Sequence, residues 1–239
     1  MLKKLEQWIF PSQCCLCGVS RDLSAESPDF CRVCIEQLPW VNSGDRCVRC
    51  GLCLTWGTEA VYCEPCRIDP PAFDRLYQLF AYEEPIKTLL SRFKFSGQMG
   101  YGPLFAGLLA QKIQKHWYAT SPYDLPQAII PVPLHLQRLA VRGFNQALEL
   151  SLPLAQRLKC TLWMDGCIRI KNTQAQSRLE RAARKTNLKD AFFLRTEPDF
   201  DHCAIVDDVV TTGSTVNALS KLLKDAGVSR VDVWCVARA

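Results

Sequence analysis

The sequence contains no long uncharged apolar run. None of its 239 residues belongs to a stretch approaching the roughly 18 to 20 apolar residues that a membrane-spanning helix needs. The short apolar stretch near the start is interrupted by Glu6, so we expect neither a signal peptide nor a membrane anchor. With 48% hydrophobic and 22% charged residues, the composition is typical of a folded, soluble protein. These features lead us to expect a cytoplasmic globular protein.

Histidine is scarce, and the phosphate-binding pattern of P-loop proteins is missing. The three histidines, His116, His135 and His202, show no regular spacing that would indicate a metal site. No G-x-x-x-x-G-K-[ST] pattern occurs, which disfavours a P-loop nucleoside triphosphatase.

Cysteine is abundant and unevenly distributed. Ten of the 14 cysteines lie within the first 66 residues. The charge changes at about the same place, because residues 1–75 carry 8 basic and 10 acidic side chains, whereas residues 76–239 carry 21 and 14. We therefore predict two domains, a cysteine-rich zinc-binding domain at 1–75 and a larger domain at 76–239. Within the latter, residues 138–195 hold twelve Lys or Arg against four acids, so this basic zone is either a solvated surface or a site for an anion.

Eight of the cysteines form four C-x-x-C pairs, separated by 13, 12 and 12 residues. One pair directs two thiolates at one ion, and two pairs complete the tetrahedral four-sulfur site that structural Zn²⁺ prefers. Glycine follows the first and third pairs, so the segment reads as one unit repeated twice, which favours sequential sites. An interleaved pairing has nearly the same loop lengths and stays open. The predicted ligands are Cys14, Cys17, Cys31 and Cys34 for one ion and Cys47, Cys50, Cys63 and Cys66 for the other.

We expect two structural zinc ions in this segment. Its few aliphatic side chains cannot build much of a core, so the metal must supply most of the folding free energy. Four thiolates leave no open position for water, which argues against a hydrolytic zinc enzyme. An iron–sulfur cluster is the alternative, which the regular paired spacing disfavours. The segment is slightly acidic, so a scaffold or protein-contact role is favoured over nucleic-acid binding, and Cys15 and Cys53 are predicted to be spare thiols.

Strand-like and helix-like patterns alternate in the larger domain. The predicted strands are 128–132, 203–206 and 231–236, and the predicted helices are 145–158 and 215–226. This order predicts an α/β fold in which helices flank a parallel sheet.

The most informative motif is A-I-V-D-D-V-V-T-T-G-S-T at 204–215. Here a buried strand leads through two carboxylates into a small, hydroxyl-rich turn at a helix start. Backbone amides and hydroxyls at such a turn can hold a phosphate, and Gly213 permits its close approach. Asp207 and Asp208, at the carboxyl end of a parallel strand, face the crevice where such sheets bind ligands and suit the hydroxyls of a sugar. The motif therefore predicts a site for a phosphorylated sugar.

This string resembles the phosphoribosyl pyrophosphate (PRPP) signature of type I phosphoribosyltransferases. Ile130-Pro131-Val132-Pro133, followed by Arg138 and by Arg142-Gly143-Phe144-Asn145-Gln146, resembles the P-V-P and R-G-F-N-Q motifs of the ComF family, which includes GntX-type proteins. The cysteine pairs are also typical of that family, and the resemblance extends from Cys14 to Trp234. At position 171 this sequence has lysine where the family has a second arginine. The further positions that follow the family's spacing are Arg169, Lys171, Thr173, Gln176, Leu179, Arg184, Asn187 and Phe192.

The resemblance implies a type I phosphoribosyltransferase fold that binds PRPP together with Mg²⁺. The two aspartates would hold the ribose hydroxyls, the following loop the 5′-phosphate, and two arginines the pyrophosphate. A polar stretch at 172–187 resembles the mobile loop that closes over PRPP. Two interpretations of Lys94 stay open, a position near this site and a lysine that extends from an apolar segment to solvent, and the second is favoured. The implied catalytic residues are Asp207, Asp208 and Arg142. The implied PRPP-binding residues are Asp207, Asp208, Thr211, Thr212, Gly213, Ser214, Thr215, Arg138 and Arg142.

The implied function is transfer of a phosphoribosyl group to an acceptor that the sequence does not identify, in DNA uptake, natural competence or the use of DNA as a nutrient. The alternative is a non-catalytic module of the uptake machinery that senses PRPP or a nucleotide, or that binds single-stranded DNA through the basic zone. The implied partners are single-stranded DNA and DNA-uptake proteins such as a ComF-operon helicase.

Overall fold

The computed structural model describes residues 13–20, 23–24, 29–41, 43–54, 61–95, 100–117, 125–171 and 191–239. Within these ranges, five parallel strands form one sheet in the order β1-β7-β6-β2-β3. A separate antiparallel pair, β4 and β5, flanks residues 172–190. The predicted α/β fold with a parallel sheet is confirmed. The strands are β1 Arg75–Ala81, β2 Ala128–Pro131, β3 Thr161–Leu162, β4 Cys167–Arg169, β5 Phe192–Leu194, β6 His202–Val210 and β7 Arg230–Arg238.

Helices cover both faces of the sheet, so the inner strands β6 and β7 are apolar along most of their length. One core contains Leu89 of α3, Leu109 of α4 and Leu154 of α6, packed against Val206 and Trp234. The opposite core contains side chains of α7 and of the β4–β5 pair. A π-helical turn, Ile113–Trp117, extends α4. The helices of this region are α3 Ile86–Phe95, α4 Tyr101–Lys112, α5 Leu136–Arg142, α6 Gln146–Leu158 and α7 Ser214–Asp225.

The two predicted helices form where the sequence signals them. Asn145 precedes α6, and its side-chain oxygen accepts a hydrogen bond from the Ala147 amide at 3.1 Å. Gly213 precedes α7 with a φ of 79°, and Gly227 follows the helix with a φ of 96°. The strand predicted at 203–206 is longer, because β6 continues alongside β7 as far as Val210.

The cysteine-rich segment contains two short helices, α1 Arg32–Glu36 and α2 Glu64–Ile68, and a 3₁₀ turn, Ser43–Asp45. It pairs with the outer edge of β1, where the Val41 amide donates to the Leu79 carbonyl at 3.1 Å and the Ala81 amide donates to the Pro39 carbonyl at 2.9 Å. Phe30 of this segment is fully buried in the same core as α3 and α4. The division of the chain at residue 75 stays a prediction, and that residue is the first of β1.

None of the helices within the described ranges has the length and apolar character needed to cross a bilayer.

Candidate functional site

The eight predicted metal ligands converge in two separate clusters. Cys14, Cys17, Cys31 and Cys34 form one and Cys47, Cys50, Cys63 and Cys66 the other, with the sulfurs of each cluster within 4.8 Å of one another. The grouping in the structure is therefore sequential rather than interleaved. Cys15 is half-buried and Cys53 is exposed, and neither belongs to a cluster.

Both clusters are built by the same local geometry. The amide of the glycine after each first pair, Gly18 or Gly51, donates to the carbonyl of the first cysteine of that pair at 2.8 Å. Both glycines have a positive φ, 74° and 73°, which only glycine adopts without strain and which turns the chain tightly around the sulfurs. The second pair of each cluster begins a helix, since Cys31 is the N-cap of α1 and Cys63 the N-cap of α2. The sequence unit that occurs twice, C-x-x-C-G followed by C-x-x-C, therefore adopts the same local structure both times.

The sulfur spacing fits a tetrahedral zinc site. A Zn–S distance of about 2.3 Å implies sulfur–sulfur edges of about 3.8 Å. Cys17 Sγ lies 3.7 Å from Cys31 Sγ, and Cys50 Sγ lies 3.5 Å from Cys63 Sγ. Burial, and after it hydrogen bonds with and charge on the neighbouring thiols, raises the pKa of Cys34 and Cys66. A cation between the four sulfurs would favour their thiolate forms.

The predicted acidic pair lies within β6, three and two residues before its end, so the strand does not stop before the aspartates. Asp208 is buried, and its Oδ2 lies 2.9 Å from Lys94 Nζ of α3. Asp207 is half-buried, and its Oδ1 accepts a hydrogen bond from the Asp208 amide. Burial and the adjacent Asp208 raise the pKa of Asp207 well above its ordinary value, and Lys94 opposes that shift.

Three neighbouring arginines form a group of positive charge, and one of them, Arg169, acts on Asp207. Arg138 and Arg142 lie on α5, and Arg142 donates to Gln146 Oε1 at 3.1 Å. Arg169, at the end of β4, interacts electrostatically with both Arg138 and Asp207. Burial, with the neighbouring positive charge, lowers the pKa of both Arg138 and Arg169. Like charges gathered at partly buried positions are the arrangement expected where an anion binds.

The turn after β6 has the form of a phosphate cradle. Gly213 is the N-cap of α7, and the position a Cβ would occupy there is open space. Thr212 Oγ1 and Ser214 Oγ lie 2.9 Å apart, and the Ser214 amide donates to Thr212 Oγ1 at 3.3 Å. Thr211 is exposed, and Thr215, in the first turn of α7, is half-buried. Hydroxyls and first-turn amides thus gather at the positive end of a helix dipole.

The structure decides between the two interpretations of Lys94. The favoured one, a lysine that extends to solvent, is wrong, because its ammonium group is paired with Asp208 and only 24% of its side chain is exposed; the alternative, a position near the site, is confirmed. The sequence gives Arg169 no role beyond its agreement with the family's spacing. Its position in the basic zone at 138–195 is the feature that could have indicated a place in the site. The loop predicted to close over PRPP, 172–187, lies outside the described residues.

The fold and the paired clusters define a protein with a phosphoribosyltransferase-type domain preceded by a double zinc ribbon. Residues 145–239 match the phosphoribosyl transferase domain family, and residues 5–67 match the double zinc ribbon domain family. Competence protein F of Haemophilus influenzae is 38% identical over 213 residues, which cover 88% of this chain and 90% of that protein. DNA utilization protein YhgH of Escherichia coli (strain K12) is 35% identical over 228 residues, covering 95% and 97%. The chain belongs to the ComF/GntX family.

Among solved structures, the hypoxanthine phosphoribosyltransferase of Trypanosoma cruzi aligns with 59% of this chain and 75% of its own, at 15% identity and a TM-score of 0.39.

Proposed function

We propose that the protein binds PRPP with Mg²⁺ and transfers its phosphoribosyl group to an acceptor during the use of external DNA. The observation that carries this proposal is the set of groups on β6 and on the elements that follow or face it. Hydroxyls and amides at the start of α7 suit the phosphate, two carboxylates on β6 suit the ribose, and three arginines on α5 and β4 suit the pyrophosphate. The names of the relatives, competence protein F and DNA utilization protein YhgH, supply the biological context.

Each group has a definite role in this reaction. The carboxylates of Asp207 and Asp208 accept hydrogen bonds from the ribose hydroxyls, and Asp208 must then share its charge between Lys94 and the sugar. The turn at Thr212 holds the 5′-phosphate. Arg138 and Arg142 stabilise the charge that develops on pyrophosphate as its bond to C1 breaks. Mg²⁺ bound together with PRPP would neutralise part of the negative charge on the pyrophosphate. The acceptor forms the new bond to C1 and gives up its proton, so no protein nucleophile is required.

A non-catalytic module that binds PRPP or single-stranded DNA is the second candidate. The observation in its favour is that the names of the relatives refer to competence and DNA use rather than to an enzymatic reaction. Release of pyrophosphate from Mg²⁺–PRPP in the presence of nucleobases separates the two candidates, because a binding module releases none. If single-stranded DNA binds at the arginines, its affinity should fall steeply with salt.

The deciding experiment replaces both aspartates with asparagine. We expect Asp207→Asn with Asp208→Asn to abolish PRPP binding in calorimetry while the protein still unfolds cooperatively and keeps its zinc content. Asp225→Asn, which changes an exposed carboxylate of α7, is the matched control and should bind PRPP as the unmodified protein does. A double variant that binds PRPP with unchanged affinity would overturn the site. Binding that is lost only together with the fold would mean that the aspartates are structural.

A further inference from the structure

A cavity of about 490 Å³ lies where the second cysteine cluster meets the edge strand β1. Its walls come from Val41 and the segment 44–51, from the first half of β1, and from the end of α4 with its π-helical turn. None of the residues that line it belongs to the acidic pair, the phosphate turn or the arginines described above.

One buried amide of this wall has no partner within the described part of the chain. Gln78 is 4% exposed, and neither its Nε2 nor its Oε1 makes a hydrogen bond there. The chain approaches it closely, since a Cβ on Gly51 would lie 2.7 Å from Gln78 Oε1. Burying a side-chain amide without hydrogen-bond partners costs free energy. An unpaired amide in the wall of a cavity therefore indicates a ligand that supplies the missing hydrogen bonds. A side-chain amide offers both a donor and an acceptor, which complements the edge of a nucleobase.

The remaining walls supply an aromatic surface for a base and positive charge for a phosphate. Tyr77 and Trp117 are stacked, with ring centroids 4.8 Å apart and planes 29° apart, and aromatic faces of this kind bind bases by stacking. Arg46, Arg75 and Lys112 line the cavity, and no acidic residue does. Three cations beside an aromatic pair favour a planar ligand that carries a negative charge.

We propose that this cavity binds a nucleoside phosphate, with the base held by Gln78 and the aromatic pair and the phosphate by the three cations. The site is a second one, and it does not depend on PRPP binding. The same chemistry is available from a free nucleotide and from one nucleotide of a single strand. The position also gives the second zinc ribbon a role beyond scaffolding, since Cys47 and Gly51 form part of the wall.

The test uses the zinc-loaded full chain, with dAMP, ribose 5-phosphate and a twelve-residue oligothymidylate as probes in calorimetry. We expect dAMP to bind, and Gln78→Leu, Trp117→Ala and Lys112→Gln each to weaken it at least tenfold. Arg67→Gln, an exposed arginine outside the cavity, is the matched control and should bind dAMP as the unmodified protein does. The variant with both Asp207 and Asp208 replaced by asparagine should also keep dAMP binding, so failure of the PRPP site and failure of this one are distinguishable.

The remaining outcomes are equally decisive. Binding of the oligonucleotide alone, lost in the three cavity variants, would support the site with a DNA strand as its source. Ribose 5-phosphate that binds as tightly as dAMP would overturn it, because base recognition would then contribute nothing. Absence of binding by all probes at millimolar concentration would also overturn it, as would binding that the three variants leave unchanged. Melting temperature and zinc content identify a variant that fails to fold, and the other two then carry the test.

Discussion

Lys94 Nζ and Asp208 Oδ2 lie 2.9 Å apart, which joins helix α3 to the strand that carries the acidic pair. The two side chains are 24% and 10% exposed, so the attraction is screened less by water than at the surface. Two adjacent carboxylates repel each other, and this lysine compensates part of that repulsion before any ligand arrives.

This ion pair should be measurable as a coupling free energy. In a double-mutant cycle of Lys94→Met and Asp208→Asn, we expect a coupling of about 1–2 kcal/mol in the free energy of unfolding. Urea denaturation of the four proteins measures it. The pair Lys221–Asp225 is the control, since its side chains are 71% and 62% exposed and its coupling should be several-fold smaller. Equal couplings in the two cycles would contradict the view that Lys94 belongs to the site.

Asp207 should make stability depend on pH. Because the pKa of Asp207 is raised in the folded protein above its ordinary value of 3.8, the folded state binds more protons than the unfolded state between those two pKa values. The free energy of unfolding therefore falls as pH rises from the ordinary pKa of Asp207 to its raised pKa in the folded protein. Asp207→Asn should remove the loss and give a flatter profile. Asp201→Asn, at an exposed position, should keep the profile of the unmodified protein, and parallel curves for all three proteins would refute the assignment.

Two glycines at opposite ends of α7 separate backbone strain from phosphate binding. Gly213 and Gly227 have φ values of 79° and 96°, and no atom lies near the position of an added Cβ at either. Alanine at either site should cost about 1 kcal/mol of stability, because the backbone is left-handed there. Only Gly213→Ala should weaken PRPP binding, since its methyl group enters the phosphate turn. Titration of both variants with PRPP tests this, and equal weakening would locate the phosphate elsewhere.

Zinc content should follow the clusters. We expect about two zinc ions per chain by metal analysis, about one after Cys50→Ser, and two after Cys53→Ser, which changes an exposed cysteine outside both clusters. Iron, or zinc retained in full by Cys50→Ser, would contradict the assignment.

Hydrogen exchange tests how far the loss of the second cluster spreads. In Cys50→Ser, protection should fall in residues 47–54 and 61–66 and in the first half of β1, because the Leu76 amide donates to the Val48 carbonyl. Protection in β2 and α6 should remain. A uniform loss over the whole chain would contradict the two-domain division at residue 75.

The sequence was most informative where local signals and burial agree. Helix α6 begins after an asparagine cap and α7 lies between two glycines, so both could be predicted nearly to the residue. Strand β1 was missed because Arg75 and Gln78 interrupt its apolar pattern. Its outer edge is covered by the cysteine-rich segment, a contact that no local pattern encodes.

In the candidate site too, residues that are contiguous in sequence could be predicted, and residues brought together by packing could not. Asp207, Asp208 and the turn at Gly213 are contiguous in sequence, so their chemistry could be read as one motif. Lys94 comes from α3, far away along the chain, and only the packing of α3 on the sheet brings it to Asp208. The end of β6 was predicted too early, because the strand continues through the aspartates as far as its pairing with β7 lasts.

The strand order β1-β7-β6 also determines when the sheet can assemble. Strand β1 pairs with β7, and β7 with β6, so β7 is the bridge between the first strand and the others. During synthesis, residues 75–81 are made long before residues 230–238, and until the latter insert, β1 has no parallel neighbour. The zinc ribbon meanwhile pairs with the outer edge of β1, which leaves a single open edge for that late strand. A nascent chain released before β7 would therefore expose two strand edges at once, a condition that favours aggregation and makes the final nine-residue strand the closing step of folding.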